Sequence, residues 1–179
     1  GWSAAPPMSV RCLIRCGSSG SITSASAMLV SGPMGAKVML AGAASADFAS
    51  FTAELRSLAA ELGVADRIVF AGPQTRPQLA GLMREASVFL LPSWSETFGL
   101  VALESEASGV PVVAWRGAGG PPEAIPTDGG VLLDSRDPAD WADACAGLLS
   151  SDDGWAALSA AARSFAEAHT WDATAAGAT

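Results

Sequence analysis

A strand, a turn and a helix follow one another between residues 87 and 109, and this junction constrains the fold more than any other part of the chain. Residues 87–91 (SVFLL) form a short, β-rich apolar run that is typical of a buried parallel strand. The turn PSWSETFG comes next, and the helical pattern after it stops at Gly109. In an open parallel α/β sheet, ligands bind where strands end and helices begin. The junction therefore predicts a binding site in an α/β fold.

Strand and helix patterns alternate along the rest of the chain. Apolar runs at 37–42, 67–71, 110–115 and 130–133 predict further strands. Helical patterns occupy 48–62, 122–125, 138–149, 155–168 and the stretch that begins at Arg76. Two apolar stripes are expected to face the core: Phe51, Leu55, Leu58, Ala59 and Leu62 in one helix, and Trp141, Cys145, Leu148 and Leu149 in another. Asp137 is the predicted cap of the second of these helices.

Residues 1–36 differ from the remainder of the chain, because serines and glycines separate only short apolar runs there. We predict an irregular or atypical N-terminal segment over 1–36 and a domain over 37–179. The run GPMGAK at 32–37 looks superficially like a phosphate-binding loop. It lacks the Gly-Lys-Ser/Thr ending and precedes a strand pattern, so we reject that interpretation.

Length and charge narrow the function classes. The 179 residues fit one domain, and 10 basic against 18 acidic residues give a net charge of −8, which argues against nucleic acid or an anionic membrane as a partner. The three cysteines support neither a disulfide framework nor a zinc site. The sequence has no transmembrane-length apolar run, and residues 1–20 lack a signal-peptide stretch, so we predict a cytoplasmic protein.

Two carboxylates, Glu96 and Glu104, flank the predicted turn. If all residues between them were helical, their α-carbons would lie ~12 Å apart. That exceeds the roughly 5 to 9.5 Å between carboxyl groups that act at one bond, so the spacing favours two contacts along an extended ligand, each suited to a diol. The backbone N–H groups of Phe98, Gly99 and Leu100 are expected to face an anion. The alternative is structural: either carboxylate could only complement a helix dipole or face solvent.

The segment PSWSETFGLVALE, followed by GVPVVAWRGAGGPPEAI, resembles the donor-binding half of the retaining glycosyltransferases of family 4. These proteins have the two-domain GT-B architecture and carry a Glu-x7-Glu motif. The resemblance extends over about 37–171 and is clearest over 67–125. It implies a Rossmann-like parallel sheet flanked by helices, a single GT-B half, with 37–179 as the donor-binding domain. It also implies hexosyl transfer from a nucleotide diphosphate sugar to an unknown acceptor.

The resemblance further implies two candidate catalytic residues and a set of donor-binding residues: Glu96 and Glu104; Phe98, Gly99, Leu100, Gly72, Gly119 and Gly120. Glu96 would contact the hydroxyls of the donor sugar, and Glu104 would hold the ribose diol. Both would bind and orient rather than attack. Gly72 would lie beside the nucleotide base, and Gly119 and Gly120 would close over the sugar. No metal or cofactor is implied besides the donor itself, because no Asp-x-Asp pattern ends a strand.

Two departures from the family leave the activity open. The family's Gly-Arg and Lys-Gly pairs, which neutralise the leaving diphosphate, have no match, since Arg15 has no preceding glycine and Lys37 belongs to a strand pattern. An acceptor-binding domain does not fit in this length, so it is expected on a separate or missing chain. The alternatives are a non-catalytic nucleotide-sugar binding module, a truncated inactive remnant and, with less support from the motif, a sugar-nucleotide epimerase of the same architecture.

Overall fold

The computed structural model describes residues 11–15, 36–42 and 46–170, with side chains over 36–42 and 52–170. The strands are β1 (Arg11–Arg15), β2 (Lys37–Ala41), β3 (Ile68–Gly72), β4 (Val88–Leu91), β5 (Val112–Trp115) and β6 (Gly130–Leu133). The helices are α1 (Ala46–Glu61), α2 (Arg76–Glu85), α3 (Leu100–Ala107), α4 (Pro121–Ala124), α5 (Pro138–Leu148) and α6 (Asp152–Ala168). Short 3-10 turns occupy Ala65–Arg67 and Arg116–Ala118.

The strands form one 6-stranded sheet in the order β3-β2-β1-β4-β5-β6, and every neighbouring pair is parallel. This confirms the predicted Rossmann-like α/β class. The chain runs outward from β1 to β3, and then resumes on the other side of β1 with β4. The order therefore reverses between β1 and β4, and open α/β sheets place their ligand crevice at the carboxyl ends of the strands beside such a reversal.

Helices cover both faces of the sheet, and β4 is buried on each side. Val88 and Leu90 pack into a core with helices α1 and α5, whereas Phe89 packs into a second core with α2, α3 and α4. All residues of β4 are buried, as expected for a central parallel strand whose alternate side chains point to opposite faces. The turn after β4 thus follows a strand whose residues are all buried in the domain.

One strand of the sheet, β1, lies within residues 1–36, the segment predicted to be irregular or atypical. Strand β1 lies between β2 and β4, with Arg11 opposite Lys37 and Cys12 opposite Val88. The sequence RCLIR has too short an apolar run to show periodicity among the surrounding serines and glycines. Pairing on both sides supplies the hydrogen bonds that such a short strand needs. Residues 1–10 and 16–35, which include Cys16 and most of the rejected phosphate-loop run, lie outside the described residues.

Helix boundaries mostly match the predicted patterns. In α1, Leu55 and Ala59 are buried as predicted, and the Phe51 side chain lies outside the described residues. The prediction for Leu62 is wrong: it is 42% exposed, because α1 ends at Glu61 and the chain turns at Gly63 with φ 67. Within the described residues, no helix is both long and apolar enough to cross a membrane.

Helices α5 and α6 begin at side-chain caps. The Asp137 carboxylate accepts the Ala139 N–H at 2.9 Å, which confirms the predicted cap. Helix α6 begins before the predicted residue 155, because Ser151 Oγ accepts the Gly154 N–H and satisfies its first turn. Cys145 is buried in the core, as predicted, and burial raises the pKa of its thiol to about 12.

Candidate functional site

The turn between β4 and α3 ends at Gly99, which adopts a left-handed conformation (φ 64) directly before the helix. Its carbonyl accepts the N–H groups of Ala102 at 2.8 Å and Leu103 at 3.2 Å. A Cβ at Gly99 would lie 2.7 Å from the Cβ of Ala124 in α4. Glycine is therefore required here by backbone conformation and by space, and it fixes where α3 starts.

Glu96 is fixed by its main chain to the loop after β5. Its N–H donates to the Ala118 carbonyl at 2.8 Å, and its carbonyl accepts the Gly120 N–H at 2.7 Å. Together these bonds form an isolated parallel bridge between Glu96 and Gly119. The Glu96 backbone thus behaves as a short extra strand segment, so the base of its side chain has a defined position.

Gly119 and Gly120 allow this close approach of the two loops. Gly119 has φ 105, a region that favours glycine. A Cβ at Gly120 would lie 2.8 Å from the Gly99 nitrogen, 2.9 Å from the Phe98 carbonyl carbon and 3.0 Å from the Glu96 oxygen. Both glycines therefore have a packing role in the structure, and their predicted contact with a donor sugar stays a prediction.

The N–H groups of Phe98, Gly99 and Leu100 form no backbone hydrogen bond within the described residues. The Phe98 side chain is 72% exposed and that of Leu100 is 46% exposed. Gly99 itself is buried against the second loop, the loop that follows β5 and contains Gly119 and Gly120. The amino end of α3 therefore presents unsatisfied donors beside an exposed surface, and such donors attract anions.

The two candidate carboxylates lie on different elements. Glu104 is exposed on α3, whereas Glu96 is half-buried in the turn. Because α3 starts only at Leu100, the helical spacing estimated from the sequence does not apply to this pair. In the part of the chain that the structure describes, neither carboxylate takes part in a hydrogen bond or an ion pair through its side chain. Both are free to accept from a ligand.

Gly72 lies at the same carboxyl edge of the sheet but not beside the other candidates. It ends the edge strand β3 with φ 65, and its carbonyl accepts the Gly42 N–H at 3.0 Å. With β2 and β1 between them, β3 and β4 are about 14 Å apart at the usual strand spacing of ~4.8 Å. The structure thus brings together Glu96, residues 98–100 and the two glycines of the second loop, while only an extended ligand could also reach Gly72.

Two arginines, Arg116 and Arg15, lie near this edge of the sheet, and Arg116 is already paired within the domain. Arg116 forms a salt bridge with Asp134 at 2.9 Å, and its Nη2 donates to the Leu132 carbonyl at 3.3 Å. Arg15 ends β1, where the strand order reverses, but only its backbone is described. Among the described residues, no group of His, Cys, Asp and Glu is arranged to hold a metal ion.

A cation–aromatic cluster, which the sequence did not predict, consists of Trp94, Trp115 and Arg136. The Arg136 guanidinium lies 3.7 Å from the Trp94 ring centroid and 4.6 Å from that of Trp115. Burial lowers the pKa of Arg136. The signal was present in the sequence: each residue comes after or ends one of the neighbouring strands β4, β5 and β6, whose carboxyl ends meet at one edge of the sheet.

The sequence matches the family described as "Glycosyl transferases group 1" over residues 23–151, more than half of the chain. The chain belongs to this family. A D-inositol 3-phosphate glycosyltransferase of Mycolicibacterium vanbaalenii is 48% identical over 122 residues, which cover 67% of this chain and 26% of that protein. The chain therefore spans about a quarter of that relative's length.

Solved structures agree with the predicted fold. The C-terminal domain of a group 1 glycosyltransferase, LpcC from Francisella tularensis, superposes with a TM-score of 0.79 at 22% identity and covers 89% of this chain and 85% of that one. HepE from Anabaena, in complex with UDP-glucose, superposes with a TM-score of 0.79 at 24% identity and covers 90% of this chain and 44% of that one. The family match confirms the predicted family, and these superpositions confirm the fold of a single GT-B half.

Proposed function

We propose that this glycosyltransferase domain binds a nucleoside diphosphate sugar, specifically a UDP-hexose, and supplies the donor-binding half of a hexosyltransferase. One observation carries the proposal: the main chain of Glu96 is held between two loops, beside the N–H groups that begin α3, and within the described residues neither its carboxylate nor those N–H groups have a partner. This geometry suits a ligand with hydroxyls at one end and a diphosphate at the other. The complex of HepE with UDP-glucose supports UDP as the nucleoside diphosphate.

In this proposal, the N–H groups of residues 98–100 face the diphosphate, Glu96 accepts from the sugar hydroxyls and Glu104 accepts from the ribose diol. These contacts bind and orient the donor, and orientation is itself a large part of catalysis. The acceptor would bind to a further domain, on this or another chain, across the carboxyl edge of the sheet. We also propose a cytoplasmic location, which fits the free, buried thiol of Cys145.

A second candidate is a module that binds the donor without transferring its sugar. It is favoured by Arg116, whose guanidinium is engaged with Asp134 instead of being free for a diphosphate. Transfer requires interactions that are stronger in the transition state than in the ground state, and a cation at the leaving diphosphate would be one. Release of UDP from UDP-glucose over many turnovers supports the transferase, whereas binding without release supports the module.

Calorimetric titration tests the proposal directly. The purified chain is titrated with UDP, GDP and ADP and with the glucose conjugate of each. We expect saturable binding of UDP and tighter binding of UDP-glucose. Saturable binding of a GDP- or ADP-sugar in place of UDP-glucose would show that the proposed base is wrong. Absence of binding by every nucleotide and nucleotide sugar would overturn the proposed function.

We expect Glu104→Ala to weaken UDP binding by ~1.5 to 3 kcal/mol, the scale of hydrogen bonds to a charged group. The reason is that Glu104 is exposed on α3 with a carboxylate free to accept from the ribose hydroxyls. Titration with UDP measures the change, and Glu54→Ala, on the exposed surface of α1, is the control. If 2′-deoxy-UDP binds the unaltered protein as tightly as UDP does, the assigned partner of Glu104 is wrong.

For Glu96→Ala we expect a different pattern, namely about tenfold weaker binding of UDP-glucose with UDP affinity nearly unchanged. The proposed partner of this carboxylate is the sugar, which plain UDP lacks, and tenfold corresponds to one hydrogen bond to a charged group. The same titration, run with both ligands, measures the difference. Equal losses for UDP and UDP-glucose would instead identify Glu96 as a charge that complements the amino end of α3.

A further inference from the structure

The loop between β6 and α5 sends Arg136 across the carboxyl edge of the sheet to the loop after β4. Arg136 Nη2 donates to the Pro92 carbonyl at 3.0 Å, and Nη1 lies 3.5 Å from the Ser93 carbonyl. The guanidinium plane also lies over the rings of Trp94 and Trp115, which meet edge to face with centroids 5.5 Å apart. One side chain thus contacts both the segment after β4 and the end of β5.

The base of Arg136 is itself held firmly. The Trp141 indole N–H donates to the Ser135 carbonyl at 3.2 Å, and the Asp137 N–H donates to Ser135 Oγ at 3.0 Å. Asp137 caps α5, and Trp141 is fully buried. The Arg136 backbone is therefore fixed at the start of α5. Through the hydrogen bonds of its side chain, Arg136 fixes the turn after β4 relative to the buried helix α5.

The turn that Arg136 contacts leads directly to Glu96. The segment is attached at two places. Its first residues, Pro92 and Ser93, are bound by Arg136, and the main chain of Glu96 forms the bridge to Gly119. Trp94 lies between these two attachments and is 55% exposed. Without Arg136, the first attachment would be lost and the exposed indole would have no cation on its face. The turn would then keep the bridge and the edge-to-face contact of Trp94 with Trp115, but it would lose its hydrogen bonds to the loop between β6 and α5.

We propose that Arg136 is a positioning residue for donor-sugar recognition, an inference that rests on the proposed function. Arg136 fixes residues 92–94 through two carbonyls and the Trp94 ring. The path of the turn to Glu96 is then defined, and the Glu96 carboxylate is directed toward the donor sugar. Arginine suits this role because its planar fork can donate to carbonyls while it stacks on aromatic rings, whereas lysine is a flexible point charge. Arg136 acts through Glu96 and needs no contact with the donor.

The test is a double-mutant cycle read by calorimetry with UDP and UDP-glucose. Single variants Arg136→Met and Glu96→Ala, their combination and Arg136→Lys are each titrated with both probes. We expect Arg136→Met to bind UDP-glucose about tenfold more weakly than the unaltered chain does and to bind UDP within about twofold. Adding Arg136→Met to Glu96→Ala should cost nothing further, because residues that act as one unit are not additive. Arg136→Lys should fail to restore binding.

A matched control is Arg56→Met, because Arg56 also stacks on an aromatic ring, with its Cζ 3.9 Å from the Phe70 centroid, but lies on α1. It should leave both affinities unchanged. Equal loss of UDP and UDP-glucose in Arg136→Met, or additive losses in the double variant, would overturn the positioning role while the proposed function stands. Failure of the unaltered chain to bind UDP-glucose would overturn the proposed donor and this inference with it.

Discussion

Replacement of Glu106 by leucine is expected to stabilise the domain by about 4 kcal/mol at pH 8. Glu106 lies in α3 and is fully buried, and neither of its carboxylate oxygens has a hydrogen-bond partner among the residues that the structure describes. Burial raises the pKa of this carboxyl to about 8 from its ordinary value of 4.5. Leucine fills a similar volume and carries no polar atom, so it removes both the ionisation and the desolvated oxygens.

The direction of the pH dependence is set by proton binding. Below about pH 4.5, Glu106 is protonated in the folded and the unfolded chain, and its ionisation costs no stability. Between about pH 4.5 and 8 the unfolded chain releases this proton while the folded domain keeps it, so the free energy of unfolding falls as the pH rises. Above about pH 8 the loss levels off. In Glu106→Leu this fall should disappear.

Urea unfolding at a series of pH values between 4 and 9 measures the effect. Arg163 of helix α6 donates to the Ala107 carbonyl at 3.3 Å and, among the described residues, forms no hydrogen bond with the Glu106 carboxylate. Glu54→Leu, on the exposed surface of α1, is the matched control and should change the free energy of unfolding by less than about 0.5 kcal/mol. If Glu106→Leu keeps the pH dependence of the unaltered chain, another group causes it.

Gly120→Ala is expected to destabilise the domain by up to about 3 kcal/mol and to weaken UDP-glucose binding more than tenfold. Its backbone angles (φ −65, ψ −34) suit any residue, so conformation is not the obstacle. The added methyl would instead meet backbone atoms of residues 96, 98 and 99 at 2.8–3.0 Å. Since backbone cannot rotate away as a side chain can, the two loops must separate, and Glu96 moves with them.

Gly147→Ala is the matched control, because that glycine lies in α5 and a Cβ there would have no described atom within 4 Å. Alanine at this helical position should stabilise the domain by about 0.5 to 1 kcal/mol. Thermal unfolding and UDP-glucose titration of both variants measure the contrast. An unchanged stability and affinity in Gly120→Ala would show that the two loops are not rigidly packed.

The β4–α3 junction could be predicted because its signals are local. The apolar run before Pro92, the turn glycine at 99 and the helix stop at Gly109 lie within one short stretch, and each has a direct conformational meaning. The cap at Asp137 could likewise be predicted, because aspartate directly before a helical pattern is a preferred cap. The buried Cys145 could be predicted because helical periodicity fixes which side chains face the core.

The features that escaped prediction depend on distant parts of the chain. The bridge between Glu96 and Gly119 joins two loops that only the folded sheet brings together. Arg136 looks like a surface loop residue until the strand order places it beside Trp94. Glu106 belongs to a helix pattern with polar neighbours, so nothing local shows that α6 covers that surface. Strand β1 is apolar over too few residues to be recognised without its partners.

The central place of β1 also has a consequence for how the domain folds. Strands β1 to β3 pair with neighbours close in sequence, as do β4 to β6, but Cys12 pairs with Val88 across most of the sheet-forming chain. Closing so long a loop is entropically costly, and non-local pairings of this kind slow folding. We therefore expect the pairing of β1 with β4, and not the formation of either set of three strands, to limit the rate at which the complete sheet forms.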